Sequence, residues 1–182
     1  MKVQFGISNV YLFERGETNG SVTYSNPLHL PGAVSIDMEP QSEQNVFYAD
    51  NIKYWTGDSM QGYEADLEVA MITDAVKTLY LGYAEAQNGN LVQTNAQGKS
   101  FGLVYQFETD TEARRCVMYN CTMGRPNEEH NTKEDSTEPD TQTVTISVNG
   151  EDVNGVQCFT AEVKPADSNY DTVFTALALP TF

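Results

Sequence analysis

The chain has 182 residues, of which 40% are hydrophobic, and that is enough to bury the core of one globular domain. It carries 26 acidic and 10 basic residues, a net charge of −16, which argues against ordinary binding to nucleic acid or to an anionic membrane surface. No run of residues has the length of a membrane span and the first residues form no apolar signal region, so we expect neither a membrane partner nor secretion.

The first predicted elements form a hairpin. Residues 5–13 are an apolar run that predicts the first strand. Residues 14–21 are polar and predict a turn segment, in which Asn19-Gly20 is a hairpin signal. Residues 22–24 predict a brief second strand.

Residues 33–39 and 63–71 alternate strictly between apolar and polar side chains, so each predicts a strand with two different faces. If they pair, their apolar face holds Val34, Ile36, Met38, Ala65, Leu67, Val69 and Met71. The opposite face holds Asp37, Glu39, Glu64, Asp66 and Glu68, together with Ser35. Carboxylates that face each other destabilise a sheet, so this ribbon either needs an acidic side or is an ordinary solvated face. The ribbon alone favours the ordinary interpretation.

Between these strands, residues 40–62 predict a long inter-strand loop. A connection of this length in a compact domain is usually functional or mobile. It carries Phe47, Tyr48, Tyr54 and Trp55, which is the only tryptophan of the chain. Aromatic side chains are favoured at interfaces, but they also pack loops onto their own domain. The residues alone leave these two interpretations equal.

A single helix is predicted over residues 73–86, with Thr73 as its cap and Asp74 at its positive end. Its apolar face has helical spacing and should pack on a sheet. That face holds Val76, Leu79, Tyr80 and Tyr83.

The second half of the chain predicts four more strands, at residues 101–108, 114–123, 143–149 and 156–164. Residues 124–141 are polar and predict a solvated loop, and the apolar tail at residues 169–182 predicts a segment that closes the sheet or reaches a neighbour. We therefore predict one domain over residues 1–182. Its fold is mainly β, an antiparallel sandwich or small barrel with one flanking helix.

Three cysteines, Cys116, Cys121 and Cys158, lie in apolar runs that read as strands. Their odd number favours reduced thiols in a cytoplasm over a disulfide framework. We expect all three to be buried as small hydrophobes.

The residues predict no enzyme, no cofactor and no metal site. His29 and His130 lack motif partners, and Cys116 and Cys121 have no second pair that would complete a zinc site. A weak cation site is conceivable at Glu128, Glu129, His130, Glu134 and Asp135, but a solvated charge run is the better interpretation. The chain has no phosphate-binding glycine loop and no dinucleotide fingerprint. A regular acidic stripe also differs from the separated carboxylate pair of a glycosidase.

The order of several stretches resembles the major tail (tail tube) proteins of long-tailed double-stranded DNA bacteriophages, especially those of Gram-positive hosts. The stretches are GISNVY (6–11), LPGAVSI (30–36), FYADN (47–51), GYEADLEVA (62–70) and NEEHNTK (127–133) before TQTVTI (141–146). The combination of LPGAVSI and FYADN is the most specific part. The resemblance covers most of the chain but not its carboxyl-terminal end.

The resemblance implies a structural virion protein that forms hexameric rings, which stack into a tube for DNA ejection. The ribbon strands would line the lumen, and the loop between them would contact the adjacent ring. The partners would be further copies and other tail proteins, in the host cytoplasm before assembly and in the virion tail afterwards. Genomic DNA would pass without specific binding, because an acidic wall repels phosphate.

The competing hypothesis is a carbohydrate- or receptor-binding β-sandwich, in which the exposed aromatic residues form the binding platform. Behaviour in concentrated solution separates the two, because a tube subunit assembles whereas a binding module stays monomeric.

Overall fold

The computed structural model describes residues 4–109, 112–126 and 140–182. The strands are β1 (Gln4–Thr18), β2 (Ser21–Leu30), β3 (Ala33–Ala49), β4 (Ile52–Val69), β5 (Tyr83–Glu85), β6 (Leu91–Gln93), β7 (Phe101–Thr109), β8 (Arg114–Met123), β9 (Gln142–Val148), β10 (Glu151–Val153), β11 (Val156–Cys158) and β12 (Thr160–Val163). Helix α1 (Asp74–Tyr80) lies between β4 and β5. The predicted fold class is confirmed, since the chain is mainly antiparallel β with one short flanking helix.

One large sheet organises the molecule. Its strand order is β2-β1-β7-β8-β9-β4-β3, and β12 pairs with β8 beside β9. All of these pairs are antiparallel. β2 and β3 are therefore the two ends of this order, β12 is paired on one side only, and the small ribbons β5–β6 and β10–β11 lie outside the sheet.

The sheet buries apolar side chains on both faces. Successive residues of β7 show this, because Leu103 belongs to the core cluster beneath α1 while Val104 belongs to a second cluster on the other face. α1 contributes Val76 and Tyr80 to the first cluster, as predicted. The three cysteines, Cys116, Cys121 and Cys158, are free and buried, which confirms their predicted role as small core residues.

The apolar tail packs on the second face of the sheet. Val173 and Leu177 are buried in the second cluster. Arg115 holds the tail in place, because its guanidinium lies 3.8 Å from the ring centroid of Tyr170 and 4.5 Å from that of Phe174. It also donates a hydrogen bond to the carbonyl oxygen of Tyr170. Of the two predicted roles for the tail, the structure shows that it covers its own sheet.

A partly buried ion pair lies near one edge of this second cluster. Arg15 donates to the carboxylate of Glu151 through Nε and, at 3.1 Å, through Nη2. The hydroxyl of Tyr24 donates to the same carboxylate at 3.1 Å and accepts from the backbone N–H of Asn120 at 3.0 Å. This network satisfies Glu151, the one charged residue among the described positions that is classed as buried.

Several predicted boundaries are wrong. The hairpin at Asn19-Gly20 exists, but β1 runs to Thr18 and β2 from Ser21 to Leu30, so most of the predicted turn at 14–21 is strand. The strand predicted at 156–164 is two strands, β11 and β12, which separate at Phe159.

The helix is also shorter than the predicted 73–86. It ends at Tyr80 because Gly82 follows with φ of 72°, and a Cβ at Gly82 would overlap the carbonyl oxygen of Ala96. Tyr83 then begins β5. Thr73 has an extended backbone at the cap position, but its hydroxyl makes no capping hydrogen bond.

The largest correction concerns residues 40–62, which were predicted as a loop and are the continuation of β3 and β4. Pairing runs without a loop from Gln41 opposite Gly62 to Ala49 opposite Ile52. Asp50 and Asn51 form the turn, with φ of 51° and 61°, the left-handed values that a two-residue hairpin turn requires. Of the polar loop predicted at 124–141, residues 127–139 lie outside the described part of the chain, as does the predicted charge run of 128–135.

Candidate functional site

The β3–β4 hairpin carries all the site residues that the sequence predicts. Its first part, residues 33–39 and 63–69, is bound into the sheet because β9 pairs with β4 from Tyr63 to Val69. Its second part, residues 40–62, continues beyond that pairing, and within the described residues no third strand pairs with it. We call this second part the arm.

The sheet-bound part gathers carboxylates on one surface, as the alternation predicts. Asp37 lies directly opposite Asp66, and Glu39 lies directly opposite Glu64. These four side chains are exposed and line one shallow depression. Glu68 continues the row opposite Ser35. We call these five carboxylates the acidic face.

Strand β9 widens the acidic face with hydroxyl groups that the sequence analysis missed. Thr143, Thr145 and Ser147 lie opposite Glu68, Asp66 and Glu64 in that order and are exposed. The alternation in TQTVTISV is the signal that would have placed them, once β9 is known to be the neighbour of β4. The acidic strands are therefore bordered by an uncharged polar strand.

Hydrogen bonds from hydroxyl groups stabilise the ionised form of Glu68. Thr141 Oγ1 donates to Glu68 Oε1 at 2.6 Å, and Ser35 Oγ donates to Glu68 Oε2 at 3.0 Å. These bonds, led by that from Thr141, lower the pKa of Glu68 below its ordinary value. Thr145 Oγ1 makes the same kind of bond to Asp66 Oδ1 at 2.8 Å.

The opposite side of the ribbon faces the core, with two exceptions. Ala65, Leu67 and Val69 are fully buried, as predicted, whereas Val34 is 50% exposed and Met71 is 66% exposed. The pairing shifts between Ala33 and Ser35, so Val34 has no partner directly opposite it on β4. Met71 lies beyond the end of β4.

The predicted aromatic residues lie near the end of the arm and are exposed. Phe47, Tyr48, Tyr54 and Trp55 expose between 58% and 70% of their surface, and Ile52 exposes 62%. We call these five residues the arm tip. The alternative that the aromatic residues pack onto their own domain is therefore wrong for this structure.

Trp55 is held in place by the arm itself. It lies directly across from Phe47, and its indole covers the Cα of Gly57, where any added Cβ would overlap the ring. Tyr48 is opposite Lys53, so Tyr54 is the extra residue of a β-bulge. A bulge of this kind re-aims the side chains around it, and the arm presents aromatic rings on more than one side.

An apolar cavity of about 560 Å³ opens beside β3. Its wall includes Val34, Ile36 and Met38 of β3, and Tyr105 and Phe107 of β7 lie within it. Burial raises the pKa of Tyr105, so that its hydroxyl stays neutral. The remaining lining residues are Gly6, Ile7, Ser35, Cys116, Thr160, Ala161 and Glu162. We call this the β3 cavity.

The described ranges hold neither a candidate metal cluster nor a helix that could span a membrane. Among residues 4–109, 112–126 and 140–182, no group of three or more His, Cys, Asp or Glu side chains could hold a metal ion. His29 packs against Tyr11, with ring centroids 4.8 Å apart. In the same ranges, no helix has the length and apolar character to cross a membrane.

Comparison with known proteins adds no family to this picture. No protein-family model matches the chain, and no curated protein matches it.

Proposed function

We propose that this chain is a structural subunit of a bacteriophage tail tube, forming hexameric rings that stack into a conduit for DNA. The observation that carries the proposal is the β3–β4 hairpin, which combines the acidic face in its sheet-bound part with the arm tip in its free part. A tube subunit needs both features, a wall along which DNA moves and a contact that joins one ring to the next.

The acidic face supports the role of a lumen wall. Facing carboxylates cost stability in a sheet, and this hairpin places Asp37 against Asp66 and Glu39 against Glu64. Ring symmetry would repeat this negative surface around the axis. Phosphates are repelled by such a wall, so DNA slides without the salt-dependent binding that lysine or arginine would create.

The arm supports the role of a contact between rings. An isolated two-stranded ribbon is at best marginally stable in water, and the arm tip leaves five large apolar or aromatic side chains exposed. A second copy that covers the arm tip would remove this surface from water and hold the ribbon in place.

A carbohydrate- or receptor-binding module is the second candidate, and the same side chains favour it. Tyr54 and Trp55 are 70% and 58% exposed, and exposed aromatic rings can stack on sugars. This function needs no second copy of the chain and no acidic face.

Electron microscopy of concentrated protein tests the proposal. Rings or hollow tubes, alone or after addition of the other tail components, are the expected result. A protein that stays monomeric at every concentration under both conditions, and that binds a glycan, would instead establish the second candidate.

A further inference from the structure

Three side chains that the proposed function does not use meet beside β1. The ammonium group of Lys99 donates to Oε1 of Glu14, and the side-chain amide of Asn26 donates to Oε2 of the same carboxylate at 3.3 Å. An amine and a carboxamide therefore lie side by side on one carboxylate. They come from β1, from β2 and from the segment that precedes β7, so only the folded chain brings them together.

A β-bulge places Asn26 at this carboxylate. The pairing of β1 with β2 shifts between Leu12 and Glu14. At the shift, one residue of β1 lies opposite two of β2, Asn26 and Pro27, and Asn26 has a left-handed backbone with φ of 52°. Bulges re-aim side chains and are over-represented next to active sites. Because Pro27 has no backbone N–H, attack by the next peptide nitrogen cannot consume the Asn26 carboxamide.

Backbone contacts fix Lys99 on the other side of Glu14. The N–H of Lys99 donates to the carbonyl oxygen of Leu79 at 3.0 Å. The following carbonyl, that of Ser100, accepts from the N–H of Arg15 at 3.1 Å. The backbone at Lys99 is thus bound to α1 on one side and to β1 on the other, and Glu14 is the neighbour of the residue that makes the second contact.

The Glu14 carboxylate is ionised, as a general base must be. Hydrogen bonds from Lys99 and Asn26 lower its pKa below the ordinary value. Its side chain is 24% exposed, so most of it is covered by the protein. Burial, and after it the charge of Glu14, raises the pKa of Tyr80 to about 12. The Tyr80 hydroxyl is buried and has no hydrogen-bond partner among the described residues, and such a donor can stabilise the oxyanion of an acyl transfer.

We propose that Lys99 and Asn26 form an isopeptide bond, with Glu14 as the catalytic base. Glu14 accepts a proton from the Lys99 ammonium, which frees the lone pair of Nζ to attack Cγ of Asn26. The carboxyl group then protonates Nδ2, and the Cγ–Nδ2 bond breaks. The two protons that Lys99 loses leave with Nδ2 as an ammonium ion. One amide cross-link remains, Glu14 is unchanged, and no oxidant or cofactor takes part.

The cross-link would join β2, at one end of the sheet order, to the segment that packs on α1. Its two residues are far apart in the sequence, and a link that closes a long loop restricts the unfolded chain strongly. We therefore expect the linked chain to melt at a higher temperature than an unlinked variant. This inference does not depend on ring or tube formation, so either proposal can fail without the other.

The intact mass of the purified full chain tests the proposal. During incubation at alkaline pH, which favours the uncharged amine, the wild type should lose the mass of one ammonia. Trypsin should then no longer cleave after Lys99, and a branched peptide should contain both Lys99 and Asn26. Lys99→Arg, Asn26→Gly and Glu14→Gln should each keep the full mass. Lys99→Arg retains the ion pair and glycine suits the left-handed backbone, so these two variants should fold, which thermal melting checks.

Four Asn-Gly sequences provide another route to loss of ammonia, through a succinimide, and require a control. They begin at Asn19, Asn88, Asn149 and Asn154. Lys77→Arg, at a lysine that lies over the ring of Tyr83, should lose ammonia and resist trypsin at Lys99 as the wild type does. Loss of ammonia that persists in Lys99→Arg would assign it to the Asn-Gly sites and overturn the cross-link. A wild type that keeps its full mass and is cleaved after Lys99 would show an ordinary ion pair and overturn it equally.

Discussion

The two parts of the β3–β4 hairpin share the same strands and the same pairing but differ in what surrounds them. The sheet-bound part has β9 on one side and a core beneath Ala65, Leu67 and Val69. The arm has neither within the described residues. The comparison teaches that hydrogen-bonded pairing alone shapes a strand, whereas neighbouring elements decide which of its side chains stabilise the fold and which are left for a partner.

Truncating one apolar side chain in each part should give the largest contrast. Leu67→Ala removes a fully buried side chain of the sheet-bound part and should cost about 2–5 kcal/mol of unfolding free energy. Ile52→Ala in the arm tip should change it by less than about 0.5 kcal/mol, because Ile52 is already exposed. Urea denaturation of the monomer measures both. Equal losses would mean that the arm packs on its own domain in solution.

The aromatic residues of the arm tip should separate assembly from stability. Tyr54→Ala combined with Trp55→Ala should prevent polymerisation and leave the thermal midpoint of the monomer nearly unchanged. Phe101→Ala is the contrast, because Phe101 is fully buried and its loss should cost about 3–5 kcal/mol. Microscopy and thermal melting on the same samples provide the two readouts. A collapse of the midpoint in the double variant contradicts this prediction.

Reversing charge on the acidic face should affect function but not assembly. The triple variant Glu64→Lys, Asp66→Lys and Glu68→Lys should still form rings, because none of these three side chains is predicted to contact another subunit. DNA ejection and infectivity should fall, because each lysine near a phosphate adds a salt-dependent contact. The matched control changes the exposed residues Glu85, Asp140 and Asp171 to Lys, with the same total charge. Normal ejection through intact tubes of the first variant would exclude a lumen position.

The smallest expected effect is a change in the pKa of one carboxyl group, that of Glu68. The pKa of Glu68 is lowered, so its contribution to stability is present above the ordinary glutamate value of about 4.3 and is lost as pH falls through the lower folded value. Thr141→Val should move this pKa back towards the ordinary value, because it removes the leading hydrogen bond. Thr143→Val is the control. Thr143 lies opposite Glu68 in the pairing of β4 with β9, but the hydrogen bonds to the Glu68 carboxylate come from Thr141 and Ser35. Carbon NMR of the carboxyl group measures both variants.

The sequence predicted the parts of the hairpin that have a core beneath them. Strict alternation marks residues 63–69, because burying one face requires an apolar residue at every second position. The arm has no such requirement, and its mixture of polar and aromatic residues was interpreted as a loop. The Asp50-Asn51 turn is a weaker hairpin signal than Asn-Gly, and its place between two long strands was missed.

Other errors have equally local causes. The predicted helix continues past the true end of α1, because its helical spacing extends over Val76, Leu79, Tyr80 and Tyr83. The spacing of apolar residues contains no signal for the left-handed backbone of Gly82 that follows the helix. The β3 cavity could not be predicted either. It joins β1, β3, β7, β8 and β12, and these strands are brought together by a sheet order that is not their order in the chain.

The packing of the tail has a consequence for the timing of folding during synthesis. Leu177 covers Gly102 on β7, and Tyr170 donates a hydrogen bond to the carbonyl oxygen of Ala113. β1, made first, pairs with β7 near the middle of the sequence. The sheet that anchors the β3–β4 hairpin therefore waits for long-range pairing, which is slow. Its second core stays open until residue 177 has emerged. The exposed aromatic residues of the arm tip are therefore synthesised well before the residue that completes this core.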